Sequence, residues 1–314
     1  MTARTREWRS QRPLDLHATL GSLRRGSGDP AYRVTPDGAL WRAARTPAGP
    51  GTLRLTVARR AGAVAATAWG PGAGWLLDTV LTLIGEDDDT TGFVPDTPLL
   101  RDLAARNKGW RVPRTGLVFE SLAAAIIEQK VTGLEARRAW RYLLSRFGVP
   151  APGPAPAGMR AAPAAREWLM IPSWEWRRAG VDGKRSAAVL AAARVAARLE
   201  ETVALSHAEA ERRLRTVPGV GIWTAAEVRQ RAHGDPDAVS VGDYHLAKQV
   251  GWAFAGEPAD DERMLELLAP YAGHRYRVVR LIELAGIGPP RRGPRRAPHP
   301  LAATAWAGPF SPRS

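Results

Sequence analysis

The chain has 314 residues, 45% of them hydrophobic and 24% charged, enough apolar material for two domains with cores of their own, so a disordered chain is excluded. Lysine and arginine exceed aspartate and glutamate by 14, a surplus that favours a polyanionic partner, either nucleic acid or an anionic membrane surface. Cysteine is absent, which removes disulfides, thiolate zinc sites, cysteine nucleophiles and cysteine-ligated iron–sulfur clusters together.

The opening MTARTREWRS lacks the apolar core of a signal peptide, and no window reaches the ~18 apolar residues of a spanning helix, so a soluble cytoplasmic protein with no membrane partner is expected. From Leu14 to Ile84 the signals are strands and tight turns. Ala31–Thr35, Pro36-Asp37-Gly38 and Ala39–Arg42 read as a hairpin, because proline presets one turn residue and glycine accepts positive φ. Leu53, Leu55 and Val57 alternate with Arg54 and Thr56, the period of a half-buried strand. Trp75–Leu81 is expected to form a helix over one face of that sheet, followed by a solvated acidic loop with Glu86, Asp87, Asp88 and Asp89. Residues 1–100 are thus assigned to an amino-terminal β-rich domain.

From Leu117 the period turns helical, and residues 101–290 are assigned to an all-α domain, giving an α+β chain. Leu122 and Ile126 mark a helix ending near Lys130. Thr132 and Glu135 have capping-box spacing, which predicts a second helix burying Trp140, Leu143, Leu144 and Phe147. Val149–Ala165, rich in proline and alanine, reads as a long connection, with helices resuming near Trp168 and over Lys184–Leu199. From Arg291 onward five arginines and many prolines occur without an acid, so residues 291–314 read as a basic flexible tail.

The most informative stretch is Ser206–Trp252. Ser206 and Glu209 open a helix through Leu214, which stops at Val217-Pro218-Gly219-Val220-Gly221; a second helix begins at Ile222-Trp223-Thr224 and runs to His233. Glycines in such a turn let main-chain N–H groups approach an anion while the next helix directs its positive end there, so a phosphate fits, with no reading of base sequence. An ordinary αα corner uses the same glycines. Twenty-two residues beyond Gly221 stands Asp243, in Ser240-Val241-Gly242-Asp243-Tyr244, before a helix marked by Leu246, Val250 and Phe254. Helix N-capping is the plainest role for an aspartate so placed.

The two segments together resemble the helix-hairpin-helix, Gly/Pro-rich loop and aspartate signature of base-excision DNA glycosylases, most closely the bacterial 3-methyladenine DNA glycosylase II branch. The resemblance extends over most of the chain, from the β-rich first hundred residues to the helix pair of Phe119–Phe147. It implies a monomer that acts on double-stranded DNA containing damaged bases, near the nucleoid. Asp243 becomes the catalytic carboxylate, stabilising an oxocarbenium-like sugar and accepting a proton from water. Gly219, Gly221 and Thr224 become DNA-binding residues of the hairpin, and Gln129 and Lys130 the turn that enters the opened stack. Family members that also cut the strand carry a Schiff-base lysine where this chain has Trp223, and none of its four lysines falls in that helix, so a monofunctional hydrolase is expected.

An alkylated purine such as 3-methyladenine is the expected substrate, since its positive charge attracts aromatic faces. Trp223, Tyr244 and His274 are the base-pocket candidates, with Tyr276, Trp110, Trp174 and Trp176 as further aromatics. Where relatives place a stacking aromatic four residues beyond Trp223, this chain has Glu227, which together with His274 keeps a glycosylase for oxidised or deaminated bases open. A non-catalytic DNA-binding module would have no use for Asp243. No cofactor is required; by resemblance a structural monovalent or divalent cation is expected on the hairpin, on the backbone carbonyls of Val217 and Val220.

Overall fold

A computed structural model describes residues 2–58 and 63–290; the basic tail expected from residue 291 lies outside them. Five antiparallel strands, β1 (Arg4–Arg9), β2 (Tyr32–Val34), β3 (Leu40–Thr46), β4 (Gly49–Ala58) and β5 (Ala63–Trp69), form a sheet in the order β1-β5-β4-β3-β2. The predicted hairpin joins β2 to β3 through a turn in which Gly38 takes φ +80° and donates its N–H to Thr35 O. In β4 the alternation holds: Leu53 and Leu55 are fully buried and Arg54 lies over the Trp41 ring on the other face. Strand β1 was not expected. Its residues are almost all exposed and polar, so no period marks it, and only its pairing with β5 makes it a strand.

Helix α1 (Leu16–Leu20) is capped by Asp15, whose side chain accepts from Ala18 N–H. The helix expected over the sheet is present as α2 (Ala73–Asp78) and α3 (Val80–Leu83), with Leu76, Leu77, Val80 and Leu83 set against Leu53 and Leu55. Each such buried leucine contributes about 1.5–3 kcal/mol.

Next comes α4 (Pro98–Arg106), with Thr97 as its cap and Pro98 in the first turn. Helix α5 (Val118–Glu128) is buried on nearly every side, the mark of a central element: every residue from Ser121 to Ile127 is buried. Helix α6 (Gly133–Phe147) carries the predicted capping box, buries Trp140, Leu143 and Leu144 and leaves Phe147 half-buried.

The connection expected over Val149–Ala165 is not wholly irregular, because β6 (Val149–Pro150) and β7 (Arg160–Ala161) pair within it. Helices α7 (Ala165–Trp168), α8 (Ser173–Arg178), α9 (Gly183–Arg194) and α10 (Ala196–Glu200) follow, so the single helix expected over Lys184–Leu199 is interrupted at Val195. Trp168 stacks between Trp140 and Trp176, at ring distances of 6.4 and 5.6 Å, and joins α6, α7 and α8 to the core around α5.

Helix α11 (His207–Leu214) has the Ser206–Glu209 capping box. Helix α12 (Ile222–Val228) continues to His233 as expected, but residues Arg229–His233 widen into a π-helical turn that Gly234 ends at φ +68°. Helices α13 (Leu246–Ala255), α14 (Asp261–Leu268) and α15 (Arg275–Leu284) share a core with α4 through Leu100, Leu103, Val250, Met264, Leu268 and Val278.

The acidic loop is not merely solvated. Asp88 takes both terminal nitrogens of Arg277 at 2.6 and 3.0 Å and also accepts Val112 N–H, while Glu86 pairs with Arg111. With 2% and 4% of their side chains exposed, Asp88 and Arg277 tie the segment after α3 to α15.

Candidate active site

A cleft of about 330 Å³ opens between two helix faces. On α12 and its π turn, Trp223, Glu227, Gln230 and Arg231 fall at the spacing of one helical face; on α15, Tyr276, Val279, Arg280 and Glu283 do the same. Ser240, Asp243 and Leu246 line it as well. Gly21, Ser22 and Arg24, from the segment before β2, and Glu128, at the end of α5, contribute the remaining wall.

Asp243 is half-buried in the turn that leads into α13, after Gly242 at φ +88°. Its Oδ1 accepts the N–H groups of His245 and Leu246 at 2.8 and 3.1 Å, the capping role expected of an aspartate before a helix. Its Oδ2 accepts Trp223 Nε1–H at 3.2 Å on the cleft side. Capping and cleft lining are therefore compatible: one oxygen orients the carboxylate and the other presents it.

The hairpin lies alongside. Gly219 has φ +87°, and a Cβ there would stand 2.9 Å from Ala188 Cβ, so both backbone and packing demand glycine. Gly221 is different: its φ of −97° is open to any residue, and a Cβ would meet nothing within 4 Å. What glycine leaves at 221 is exposed space beside the start of α12.

Gln129 is turned onto this hairpin, donating Nε2–H to Gly219 O at 2.9 Å and to Thr224 Oγ1 at 2.8 Å. Thr224 is only 2% exposed, so its hydroxyl supports Gln129 and is not offered to a phosphate. Lys130 is exposed and adopts φ +54°, the one left-handed non-glycine backbone among the described residues. Val217 and Val220 are buried, and the Val217 carbonyl accepts Val220 N–H at 3.0 Å. Among the described residues no group of three histidine, aspartate or glutamate side chains is placed to hold a metal ion.

The aromatic expectations divide. Trp223 lines the cleft and Tyr276 joins it, buried so deeply that its hydroxyl pKa rises to about 12. Tyr244 does not: it is 76% exposed, with the Lys248 ammonium 4.1 Å from its ring centre. His274 also lies elsewhere, buried against Phe93, with Nε2 at 3.0 Å from Thr91 O and Nδ1 accepting Arg277 Nε–H at 3.3 Å. It thus packs beside Arg277, the partner of Asp88, and outside the cleft lining. Trp110 and Trp176 are core residues and Trp174 is an exposed one, none of them in the cleft.

Charged groups take the space that aromatics leave. Glu227 accepts Ser240 Oγ–H at 2.6 Å and Arg231 Nη1–H at 2.7 Å, and Ser240 in turn accepts Gln230 Nε2–H at 2.9 Å. Burial pushes the Glu227 carboxyl up, against the pull of the Arg231 guanidinium. Glu128 is held by Arg25 and Glu283 by Arg280. None of Lys108, Lys130, Lys184 and Lys248 lines the cleft.

No family model and no curated protein sequence matches the chain. Solved structures do. The 3-methyladenine DNA glycosylase of Archaeoglobus fulgidus superposes with a TM-score of 0.72 at 17% identity, covering 88% of this chain and 97% of that one. The 8-oxoguanine glycosylase/lyase of Clostridium acetobutylicum, bound to double-stranded DNA with cytosine opposite 8-oxoguanine, gives 0.69 at 12%, covering 91% and 98%. An abasic-DNA complex of the 3-methyladenine DNA glycosylase of Schizosaccharomyces pombe gives 0.50 at 16%, covering 61% and 93%. The fold, an antiparallel sheet followed by a helical region, is that of the helix-hairpin-helix DNA glycosylases. This chain covers almost the whole length of the first two of those structures.

Proposed function

We propose that the protein is a DNA repair glycosylase that binds duplex DNA and hydrolyses the N-glycosidic bond of a base rotated into the cleft. The observation that carries this is Asp243: a carboxylate oriented by two backbone N–H groups, held on its other oxygen by an indole, in the lining of a cleft. As the bond to the base breaks, positive charge develops on the deoxyribose, and a fixed carboxylate in a site of low polarisability stabilises it at no cost of reorganisation. The same group accepts the proton of the water that adds to the anomeric carbon, while the bonding pair leaves with the base. The hairpin backbone beside Gly221 takes a phosphate, which gives affinity without sequence preference. The absence of a lysine from the cleft supports hydrolysis over imine formation. No step calls for a cofactor, and a cation on the Val217 and Val220 carbonyls would act on the hairpin's shape. The enzyme acts as a monomer, in the cytoplasm on the nucleoid.

An alkylated, cationic purine remains the first substrate: four carboxylates, Asp243, Glu128, Glu227 and Glu283, outnumber the three arginines Arg24, Arg231 and Arg280 in the cleft lining, and the aromatic side chains of Trp223 and Tyr276 join them. A second reading, an oxidised or deaminated base, is favoured by the polar chain Gln230–Ser240–Glu227 along the same wall. Incubation with duplexes carrying single methylated, deaminated or oxidised bases, with free base and strand scission measured separately, tests both. Base release without scission is expected, and Asp243→Asn abolishes release while retaining DNA binding. Scission without alkali that disappears on removing one lysine overturns the hydrolytic mechanism.

A further inference from the structure

The glycosylase reading uses Asp243 and the hairpin but leaves Glu227 without a task. A buried ion pair is weak evidence of a stabilising device, since an apolar pair of similar volume often stabilises as well, and here the pair faces a cavity. Glu227 stands one helical turn beyond Trp223 on the same face of α12, about 6 Å farther along the axis. The indole of Trp223 holds Asp243, so Asp243 and Glu227 are carried by successive turns of one face of the cleft. With Ser240 on Oε1 and Arg231 on Oε2, the Glu227 carboxylate has one orientation, and only 12% of its side chain is exposed. Glu128 and Glu283 are each held by a single arginine and are more open, at 27% and 36%. The fixed group is the better reader of an edge.

We propose that Glu227, positioned by Ser240 and Arg231, reads the Watson–Crick edge of the extruded base and selects guanine-type lesions over adenine-type ones. This rests on the glycosylase reading above and goes on to name the substrate class. A carboxylate is an acceptor only, with lone pairs to spare on both oxygens after its present bonds. The guanine edge offers two neighbouring donors, N1–H and the 2-amino group, which one carboxylate accepts together. The adenine edge offers a 6-amino donor beside the N1 lone pair, and that lone pair faces a carboxylate oxygen with nothing between them. A buried acceptor left opposite another acceptor is a strong basis for rejection.

The test uses one DNA sample methylated with dimethyl sulfate, from which release of 3-methylguanine and 3-methyladenine is followed together. Both lesions carry the methyl group at the same ring position and both are cationic, so their leaving ability is comparable and only the edge differs. The full-length wild-type chain is expected to favour 3-methylguanine in kcat/KM. In Glu227→Gln the carboxamide offers one acceptor and one donor, which suits the adenine edge, so the ratio is expected to fall on the order of 100-fold and to invert. Ser240→Ala keeps the carboxylate and loosens its orientation, so a smaller fall of the same ratio is expected, and this variant carries the test if Glu227→Gln does not fold. Binding to an abasic-site duplex checks folding in each case. A wild-type preference for 3-methyladenine, or a ratio unmoved by either folded variant, overturns the role of Glu227 while base release itself upholds the glycosylase. No release of any base by a wild-type chain that binds DNA overturns both.

Discussion

The Asp88–Arg277 pair of the acidic loop and the acidic lining of the cleft contain the same pairing of carboxylates with arginines, yet only the second faces open space. Asp88 has both oxygens committed to Arg277 and one also to Val112 N–H, with 2% of its side chain exposed. Asp243 has one oxygen committed to a helix start and the other held by a single indole at the edge of a cleft. The difference teaches that a buried or half-buried acid is told apart by where its unused lone pairs point. At Asp88 they point into protein and tie two parts of the fold together; in the cleft they border open space.

The comparison breaks first at its most sensitive point, Asp243→Asn. The amide preserves the shape and removes the charge, so base release should fall about 10³-fold, within the range seen when a positioned acid–base or charge-stabilising group is removed. DNA affinity and the melting temperature should hold. Single-turnover release kinetics beside a gel-shift titration measure both, and a release rate within a factor of ten of wild type would return Asp243 to a capping residue alone.

Arg277→Ala is the counterpart on the structural side. It leaves Asp88 charged and unpaired in a buried setting, with a cost of about 3–5 kcal/mol in urea unfolding. The base-release rate per folded molecule should be unchanged, because neither residue lines the cleft. A variant that unfolds at the same urea concentration as wild type would show the loop to be as solvated as its composition suggests.

That loop marks a limit of what the sequence discloses. Four consecutive acids are equally consistent with a solvated turn and with a clasp, and the partner that decides it, Arg277, lies 189 residues away. Local signals were legible where the physics is local: the capping boxes at Thr132 and Ser206, the alternation around Leu53, the Gly219 turn and the Asp243 spacing all stand in the structure. The edge strand β1 was not, because exposed polar residues leave no period. Nor was the displacement of His274 from the cleft in favour of Tyr276, since two residues of the same helix start differ only in which face they occupy. The Gln129–Thr224 bond was equally hidden, a contact between segments 95 residues apart.

A buried group of a third kind is a histidine outside the cleft lining. His233, at the end of the π turn, has Nε2 at 2.9 Å from Thr202 Oγ1, and Thr202 gives its own proton to Leu199 O, which leaves the histidine as the donor of that pair. Burial lowers its pKa to about 4, and Arg114, Arg229 and His207 nearby add to the effect. The unfolded chain, with an ordinary histidine near 6.5, therefore binds the proton first as pH falls. Stability from this source is complete above about pH 6.5 and is lost progressively toward pH 4, by on the order of 3 kcal/mol. Urea unfolding from pH 7.5 to 4.5 should show that slope, and His233→Gln should flatten it; an unchanged slope in a folded variant would assign the acid sensitivity to other groups.

The two hairpin glycines give the smallest and most discriminating pair of effects. Gly219→Ala places a side chain on a backbone at φ +87° and against Ala188, so it should cost about 1–3 kcal/mol of stability. Gly221→Ala meets neither obstacle: its backbone angles suit alanine and no atom lies within 4 Å of the added Cβ. Reduced freedom of the unfolded chain should then leave it neutral or more stable by about 0.4–1 kcal/mol. If the space beside residue 221 is where a phosphate meets the backbone, the same methyl group stands in the way, and affinity for duplex DNA should drop about tenfold, equally for all sequences. Stability and affinity thus move in opposite directions at one residue, which no general loosening of the fold can imitate. A Gly221→Ala protein that binds DNA as tightly as wild type would reduce the hairpin to a plain corner between α11 and α12 and shift the phosphate contacts to other parts of the surface.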